Sequence, residues 1–443
     1  MKERVKTVVI AILLVVTAVL CREIWISVPA GKKLIKTTDP TLSEAVTGRI
    51  APASAIVNFG DGKHTKTYQL KNLWPFYRNL LKQATDRKDE ITWERMDKKE
   101  YLEIQDEPSV IFNVGDASYS DIFKKIYHME NLKGDLVRLY FSEAEGILFE
   151  TNRGVYRARS WTPLSDINKY VRSAEREAFL PYSSLWERYG ISRAVYLPDE
   201  PPVFESGLIY HNELENMQGE YRNDLIQRLL NASIDDIHVI KEDDSVLYVY
   251  GKSNVRLSTS GILDYRNRSD VPKAATDPTG AVQLAYEFLT KTTGNVDSVY
   301  LRSIDAARDG ARKGYRLILG YTEKGIDVIP VRGEPVDYIV VEVFDNRVEH
   351  VRYLYRNSIG SRASREESGL PFGAIIEKNP EIFGDVRRGY DRALKDLTGF
   401  SQCYIDDGEA RQTTLRYGYR VEMGDEVYIF DAKTGELIGG DAK

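Results

Sequence analysis

The feature that most constrains this chain is an uncharged apolar segment near its start. Thr7–Cys21 carries no charge and would form a helix about 22 Å long. Extension to Val28 gives about 33 Å, enough to cross the ~30 Å hydrocarbon core of a bilayer. The basic segment Met1–Lys6 precedes it, which favours a cytoplasmic N-terminus. We therefore predict a cytoplasmic tail and transmembrane anchor over residues 1–33, with residues 34–443 extracytoplasmic.

A cleaved signal peptide is the alternative interpretation of this segment. Val16–Ala18 and Val28–Ala30 are poor cleavage sites, and Leu20 before Cys21 is too large for lipoprotein processing. No later stretch is as long and uncharged, which excludes a multispanning membrane protein. We therefore expect a single-pass protein of the cell membrane.

One face of the predicted anchor has the composition of a helix–helix contact. At about 100° per residue, six residues fall within an arc of about 80°. Small residues on such an arc let a second helix approach closely in lipid, although Ala and Thr also occur by chance in a single span. The hypothetical partner helix face consists of Thr7, Ala11, Leu14, Ala18, Cys21 and Trp25.

The rest of the chain has ordinary globular composition. Hydrophobic residues make up 42% and charged residues 29%, with 61 Lys+Arg against 67 Asp+Glu and a formal charge of −6. This composition excludes a disordered chain, and the acidic balance argues against a nucleic-acid binder with a broad basic face. Cys403 is the one cysteine outside the anchor. The ectodomain therefore has no intramolecular disulfide, and we expect Cys403 to be a small buried hydrophobe.

Hairpin signals dominate the ectodomain. Ala55–Phe59 and Thr65–Leu70 flank a Gly-Asp-Gly turn, and Tyr338–Phe344 and Arg347–Tyr355 flank Asp345-Asn346. No series of strand–helix–strand crossovers is visible, so the predicted class is α+β with antiparallel sheets. We place three α+β domains after the anchor: an N-terminal domain at 34–181, a central domain at 182–355 and a C-terminal domain at 356–443.

The last two predicted domains share three short matches in the same order. The pattern favours a repeat of helix, glycine stop, strands and terminal hairpin, although helix-then-meander is also a common unrelated arrangement. The matched segments are Leu289–Gly294 with Leu394–Gly399, Tyr315–Ile318 with Tyr419–Glu422, and Val343–Asp345 with Ile429–Asp431.

The search for catalytic and metal-binding motifs gives no site. The five histidines are scattered, and phosphate-binding glycine loops, nucleophile elbows and cysteine pairs are absent from the sequence. Asp406–Glu409 and the other acidic clusters lie beside predicted turns, where Asp commonly bonds the backbone. The 28 tyrosines are expected to be mostly half-buried strand residues, with some available for a binding surface. We therefore expect no enzyme activity and no cofactor.

Two further segments and the anchor carry a resemblance to a known family. The span ending at Ile24-Trp25, the strand Gly261–Tyr265 and the segment Gly325–Ile329 stand in an order that resembles the YycH family across nearly the whole chain. The resemblance implies a membrane-anchored extracytoplasmic accessory protein of Gram-positive bacteria, with a C-terminal part similar to YycI. It also implies contact with a YycI-like protein and with the WalK (YycG) sensor histidine kinase, which controls cell-wall metabolism genes. The family motif identifies no binding residues.

The expected function is therefore modulation of a sensor histidine kinase through transmembrane and ectodomain contacts. A first alternative is a PepSY-like binding or inhibitory module, suggested by the terminal hairpin Tyr428–Glu436. A second is a cell-wall hydrolase, which requires a cleft with converging ionisable groups.

Overall fold

Three β-sheets with helices packed on their faces form the described part of this protein. All of it belongs to one compact unit, Ala45–Lys443. The computed structural model describes residues 50–85, 91–97, 100–101, 104, 107–115, 117–158, 166–176, 179–191, 193, 195–212, 214, 219–268, 277–293, 296–331, 337–384, 389–408 and 412–442.

The first sheet has nine strands and begins with the predicted Gly-Asp-Gly hairpin. Asp61 and Gly62 have φ angles of 53° and 69°, which the short polar and glycine residues of this turn tolerate. The strand order is β3-β7-β6-β5-β4-β1-β2-β8-β9, with antiparallel pairs throughout. The bounds are β1 Ser54–Gly60, β2 Lys63–Thr67, β3 Trp93–Arg95, β4 Ser109–Asn113, β5 Leu136–Ser142, β6 Gly146–Thr151, β7 Gly154–Ala158, β8 Pro181–Ser184 and β9 Tyr196–Pro198.

Aromatic side chains fill the core between this sheet and its helices. The Tyr77 ring lies 5.0 Å from those of Phe112 and Phe141, in edge-to-face geometry. Each such pair adds about 1 kcal/mol to the burial term. The sequence prediction of half-buried tyrosines is wrong for Tyr77 and Tyr140, which are fully buried. The helices of this part are α1 Trp74–Thr85, α2 Ala117–Ile126, α3 Ile167–Glu175 and α4 Leu185–Tyr189.

The second and third sheets contain the remaining strands. A three-stranded sheet has the order β20-β10-β22, and the long, thirteen-stranded sheet runs β11-β12-β13-β14-β19-β18-β16-β17-β21-β23-β24-β25, with β15 paired to β16. The bounds are β10 Val203–His211, β11 His238–Lys241, β12 Ser245–Tyr250, β13 Ser253–Ser258, β14 Ile262–Asn267, β15 Val299–Asp309, β16 Arg312–Glu323, β17 Ile326–Pro330, β18 Ile339–Phe344, β19 Arg347–Leu354, β20 Asn357–Ser368, β21 Leu397–Asp406, β22 Gln412–Thr414, β23 Arg416–Met423, β24 Glu426–Asp431 and β25 Leu437–Ala442.

Antiparallel pairing prevails, as the sequence predicts, but one pair of the long sheet is parallel. β17 runs parallel to β21, with Asp327 opposite Cys403. The predicted hairpin β18–β19 is confirmed, since Asp345 and Asn346 both have positive φ, the conformation of a type I′ turn. Cys403 is fully buried, as expected, and burial raises the pKa of its thiol.

In the described ranges, five more helices accompany the two later sheets. Asp277 caps the start of α6, because its carboxylate accepts a 2.9 Å hydrogen bond from the main-chain N–H of Gly280. Ala281, Ala285 and Leu289 of this helix are buried, and α6 packs on β16, β18 and β19. The helices are α5 Gly219–Leu230, α6 Pro278–Thr293, α7 Phe372–Lys378, α8 Pro380–Phe383 and α9 Tyr390–Ala393, with a 3-10 turn at Ile234–Asp236.

The predicted repeat is right about the strands and wrong about one helix end. β15-β16-β18-β19 and β21-β23-β24-β25 are both four-stranded antiparallel meanders. However, α9 ends at Ala393 and Gly399 lies inside β21. The segment Leu394–Gly399 is therefore not a helix end followed by a glycine stop. The predicted domain boundaries at 34–181, 182–355 and 356–443 stay predictions.

Within the described ranges, no helix is both long and apolar enough to cross a membrane. The predicted anchor over residues 1–33 lies outside those ranges.

Candidate functional site

The residues that the sequence singled out do not converge on one site. The predicted helix face falls outside the described residues. His64 is buried and bonds Asn58 and Glu187, whereas His350 lies on the face of the long sheet. Among the residues that the structure describes, no three His, Cys, Asp or Glu side chains are grouped to hold a metal ion. The predicted helix face that lies outside the described residues consists of Thr7, Ala11, Leu14, Ala18, Cys21 and Trp25.

A cavity of about 1800 Å³ lies between the first sheet and the long sheet. Its walls come from distant parts of the chain: β1 and β2, then β15 to β17, then β21 and β23 to β25. Helix α2 of the first part packs against β15 and holds the two sheets in place. We name this space the central cavity.

The alternation of strand residues brings charged groups to the central cavity. In β15, Tyr300 and Arg302 line the cavity, and Leu301 between them lines it as well although it is only 3% exposed. In β23, Arg420 and Glu422 line the cavity on either side of buried Val421. Strand β23 therefore presents a charged pair to the cavity and an apolar face to the core.

Glycines make room for these side chains. A Cβ at Gly320 would lie 2.9 Å from the Tyr300 ring, and one at Gly399 would lie 2.9 Å from the Glu422 carboxyl carbon. Gly325 has φ +84°, and a Cβ there would collide with the main-chain oxygen of Tyr68. Gly325 thus allows the turn before β17 to press against the chain just after β2.

Lys66 is a cation of the central cavity with a strongly lowered pKa. Its Nζ donates a 2.6 Å hydrogen bond to the main-chain oxygen of Phe400 and lies 5.2 Å from the Tyr68 ring centroid. Burial lowers the pKa of Lys66 to about 7, and repulsion from Arg138 adds to this effect while Glu422 opposes it. Its hydrogen-bond partner is a neutral carbonyl, so the ammonium charge is not neutralised by that contact.

Asp327 lies on another wall of the same cavity. Burial raises the pKa of its carboxyl, although Arg420 and a hydrogen bond from Tyr300 act in the opposite direction. Burial also raises the pKa of the Tyr300 hydroxyl, with Asp327 adding to the shift. Lys66 and Asp327 therefore both titrate closer to neutrality than in water.

Other cations of the cavity wall have carboxylate partners. Arg420 lies 2.7 Å from Glu422, and Arg138 lies 3.2 Å from Glu150. Arg302 lies 3.9 Å from Asp337. These pairs hold the guanidinium groups in fixed positions at the wall.

Tyrosine hydroxyls and one glutamine connect the two sheets beside the cavity. The Tyr68 hydroxyl accepts a 2.9 Å hydrogen bond from the main-chain N–H of Gln402. The Gln402 side-chain amide donates a 2.9 Å bond to the Tyr182 hydroxyl on β8. The cavity geometry is thus fixed by bonds between segments more than 200 residues apart.

Lys66, Asp327 and Arg420 are site residues that the sequence pattern did not indicate. Asp327 and Arg420 stand in strands beside apolar or aromatic residues, and Lys66 stands between two threonines. Both patterns are typical of a strand with one solvated face. Asp327 lies within Gly325–Ile329, the segment quoted for the family resemblance, but the segment itself does not indicate a cavity. The missing information is the packing of the first sheet over β17 and β23.

Neither a family model nor a curated protein matches the chain. Among solved structures, the chain is similar to the Bacillus megaterium YpeB C-terminal domain, with 12% identity and a TM-score of 0.29, over 51% of this chain and 97% of that one. The resemblance to the YycH family stays an expectation from sequence.

Proposed function

We propose that this protein is a regulatory binding protein without catalytic activity, and that its central cavity binds an extended acidic segment of a partner protein. The observation that carries the proposal is Lys66, whose ammonium at the cavity wall bonds a neutral carbonyl. Six Lys and Arg residues line the cavity against three Asp and Glu, and Arg138, Arg302 and Lys324 pair with Glu150, Asp337 and Glu205 outside the lining. The cations are Lys66, Lys71, Arg138, Arg302, Lys324 and Arg420.

The size of the cavity favours an extended ligand. Small-molecule pockets are typically about 300–1,000 Å³, and the central cavity is larger, at about 1800 Å³. Between the cations the wall carries tyrosines and aliphatic residues, which suit the apolar side chains of a peptide. They include Tyr68, Tyr119, Tyr196, Tyr300, Tyr338, Ile56, Val328 and Ile329.

The carboxylates of the wall favour a peptide over a uniform polyanion. Asp297, Asp327 and Glu422 line the same space as the cations. They would repel a nucleic acid or polyphosphate, whose charges repeat at every unit. A peptide that alternates acidic, apolar and occasional basic side chains can pair with both the cations and the carboxylates of the wall.

The sequence-based expectation supplies candidate partners for this cavity. We propose that the segment comes from a sensor histidine kinase or a YycI-like protein at the cell membrane, with residues 1–33 of this chain as the anchor. Binding one signalling state of the kinase more tightly than the other would shift it toward that state. A PepSY-like binding module that works without its anchor is the alternative. A peptide-binding cavity is equally compatible with that function.

Photo-crosslinking in membranes tests this proposal. A photoreactive residue replaces Ser401, which lines the cavity, and a control replaces exposed Lys313 on β16. We expect the full-length protein to crosslink through position 401 to an acid-rich segment of a membrane protein, identified by peptide mapping, and not through position 313. Crosslinks at 401 that map only to basic segments or to nucleic acid would contradict the proposal.

A further inference from the structure

A second surface lies at one end of the long sheet, on strand β11. All four residues of β11 are exposed, and Val239 and Ile240 keep 48% and 49% of their accessible surface. β11 ends the strand order of the long sheet, with β12 as its paired neighbour. Natural proteins usually blunt or cover such apolar edge strands.

The register shows which main-chain groups of β11 face outward. The Glu242 N–H donates a 2.9 Å bond to the Ser245 oxygen, so these two residues form a hydrogen-bonded pair. Hydrogen-bonded and non-bonded pairs alternate along antiparallel strands. Ile240, opposite Leu247, therefore points its N–H and C=O toward β12. Val239 and Lys241 point theirs to the open edge, where an added strand would find two donors and two acceptors.

The ends of β11 are strongly acidic. Residues 235–244 contain five Asp and Glu against one Lys. Asp235 and Asp236 precede the strand, and Glu242, Asp243 and Asp244 follow it, all of them exposed. Glu242 alone has a described cationic partner, Arg256 at 3.1 Å. The edge thus combines an apolar centre with anionic ends.

We propose that β11 binds an extended basic segment of a partner protein as an added β-strand. Main-chain bonds to Val239 and Lys241 would supply affinity, and the flanking carboxylates would select basic side chains. A second copy of this chain fits less well, because antiparallel pairing would bring the Asp235-Asp236 end of one copy against Glu242–Asp244 of the other. This surface is separate from the central cavity, so the proposal does not rest on the function proposed above.

The test uses the full-length protein and two synthetic peptides of about eight residues, one alternating lysine with valine and the other glutamate with valine. Hydrogen exchange at single-residue resolution reports the amides of β11. Val239→Pro removes the outward N–H and is compatible with an edge strand, since the missing donor faces solvent. Val239→Thr is the matched control that keeps both the N–H and the β-branched shape.

We expect the lysine–valine peptide to protect the Val239 and Lys241 amides from exchange and the glutamate–valine peptide to leave them unprotected. Val239→Pro should weaken this binding about tenfold, and Val239→Thr should retain it. Equal binding by Val239→Pro and the parent protein would overturn the proposal. Concentration-dependent dimers that Val239→Pro removes would overturn it as well, because the edge would then serve a second copy.

Discussion

The Lys66 ammonium lies 2.6 Å from the main-chain oxygen of Phe400, a residue 334 positions later in the chain. This bond joins β2 of the first sheet to β21 of the long sheet at the wall of the central cavity. It holds a cation with a pKa of about 7 in a position where a bound anion can neutralise it. The proposed function depends on this arrangement.

Binding of an acidic peptide should be linked to proton uptake by Lys66. At pH 8 the amine is mostly neutral, and a carboxylate in the cavity favours the charged form. We expect affinity for the glutamate–valine peptide to rise as the pH falls from 8 to 6, with uptake of up to one proton at pH 8. Titration calorimetry in two buffers of different ionisation enthalpy measures the uptake. Lys66→Met should abolish it, and an unchanged uptake in that variant would exclude Lys66 as the group responsible.

Gly325→Ala should distort the cavity wall. Both Gly325 and Gly310 have positive φ, but a Cβ at Gly325 meets the Tyr68 main chain whereas one at Gly310 meets nothing within 4 Å. We expect Gly310→Ala to cost about 1 kcal/mol in backbone strain and Gly325→Ala about 2–4 kcal/mol. Urea unfolding of the two variants measures the difference. Equal costs would show that the Tyr68 segment does not press on Gly325.

Arg356 and Asp406 form an ion pair whose two side chains are fully buried, with Nε and Oδ2 3.1 Å apart. The Tyr338 hydroxyl donates a 2.8 Å bond to the same oxygen. Arg356→Met or Asp406→Asn should lower the free energy of unfolding by about 3–5 kcal/mol, because each removes one charge of a buried ion pair. Chemical denaturation should show that the double variant Arg356→Met/Asp406→Asn loses less unfolding free energy than the two single variants lose together. Strict additivity would argue against coupling.

His350 should make stability depend on pH. Hydrogen bonds from its ring to Asp264 and Glu342 raise the pKa of His350 to about 9. A raised folded-state pKa gives stability that is complete below about pH 6.5 and is lost as the pH rises to about 9. We expect a contribution of about 1 kcal/mol, reduced by solvent screening.

The matched comparison for this effect is His350→Gln, which should remove the decline in unfolding free energy between pH 6.5 and 9. Lys66 acts in the opposite direction: its lowered pKa makes stability rise with pH between about 7 and 10.5. Only the difference between the parent protein and His350→Gln therefore isolates the histidine. A pH profile that this substitution leaves unchanged would contradict the assignment.

Local patterns predicted the elements well, because their causes are local. Asp345-Asn346 favours a type I′ turn, and Asp277 caps α6, whatever the rest of the chain does. The same reasoning failed at Leu394–Gly399, where tertiary packing draws Leu397 into β21.

The cavity depends on contacts that a local pattern does not contain. Asp406 was expected in a turn and does accept a bond from the Gly408 N–H, yet its other oxygen is buried against Arg356, 50 positions away. Likewise, the sequence around Lys66 is typical of a solvated strand, and the contact of Lys66 with Phe400 of β21 has no local signal. The parallel pairing of β17 with β21, which brings Asp327 beside Cys403, has no sequence signal in either strand.

The central claim, that the cavity binds acidic peptide segments, is tested most directly by the affinity of the full-length protein for the glutamate–valine peptide. Calorimetry at pH 6.5 compares the parent protein with Lys66→Met and with the control Lys313→Met. We predict that Lys66→Met weakens binding about tenfold, as the loss of one charged partner should, and that Lys313→Met leaves it unchanged. Equal binding by Lys66→Met and the parent protein, or tighter binding of polyphosphate than of the peptide, would contradict the account.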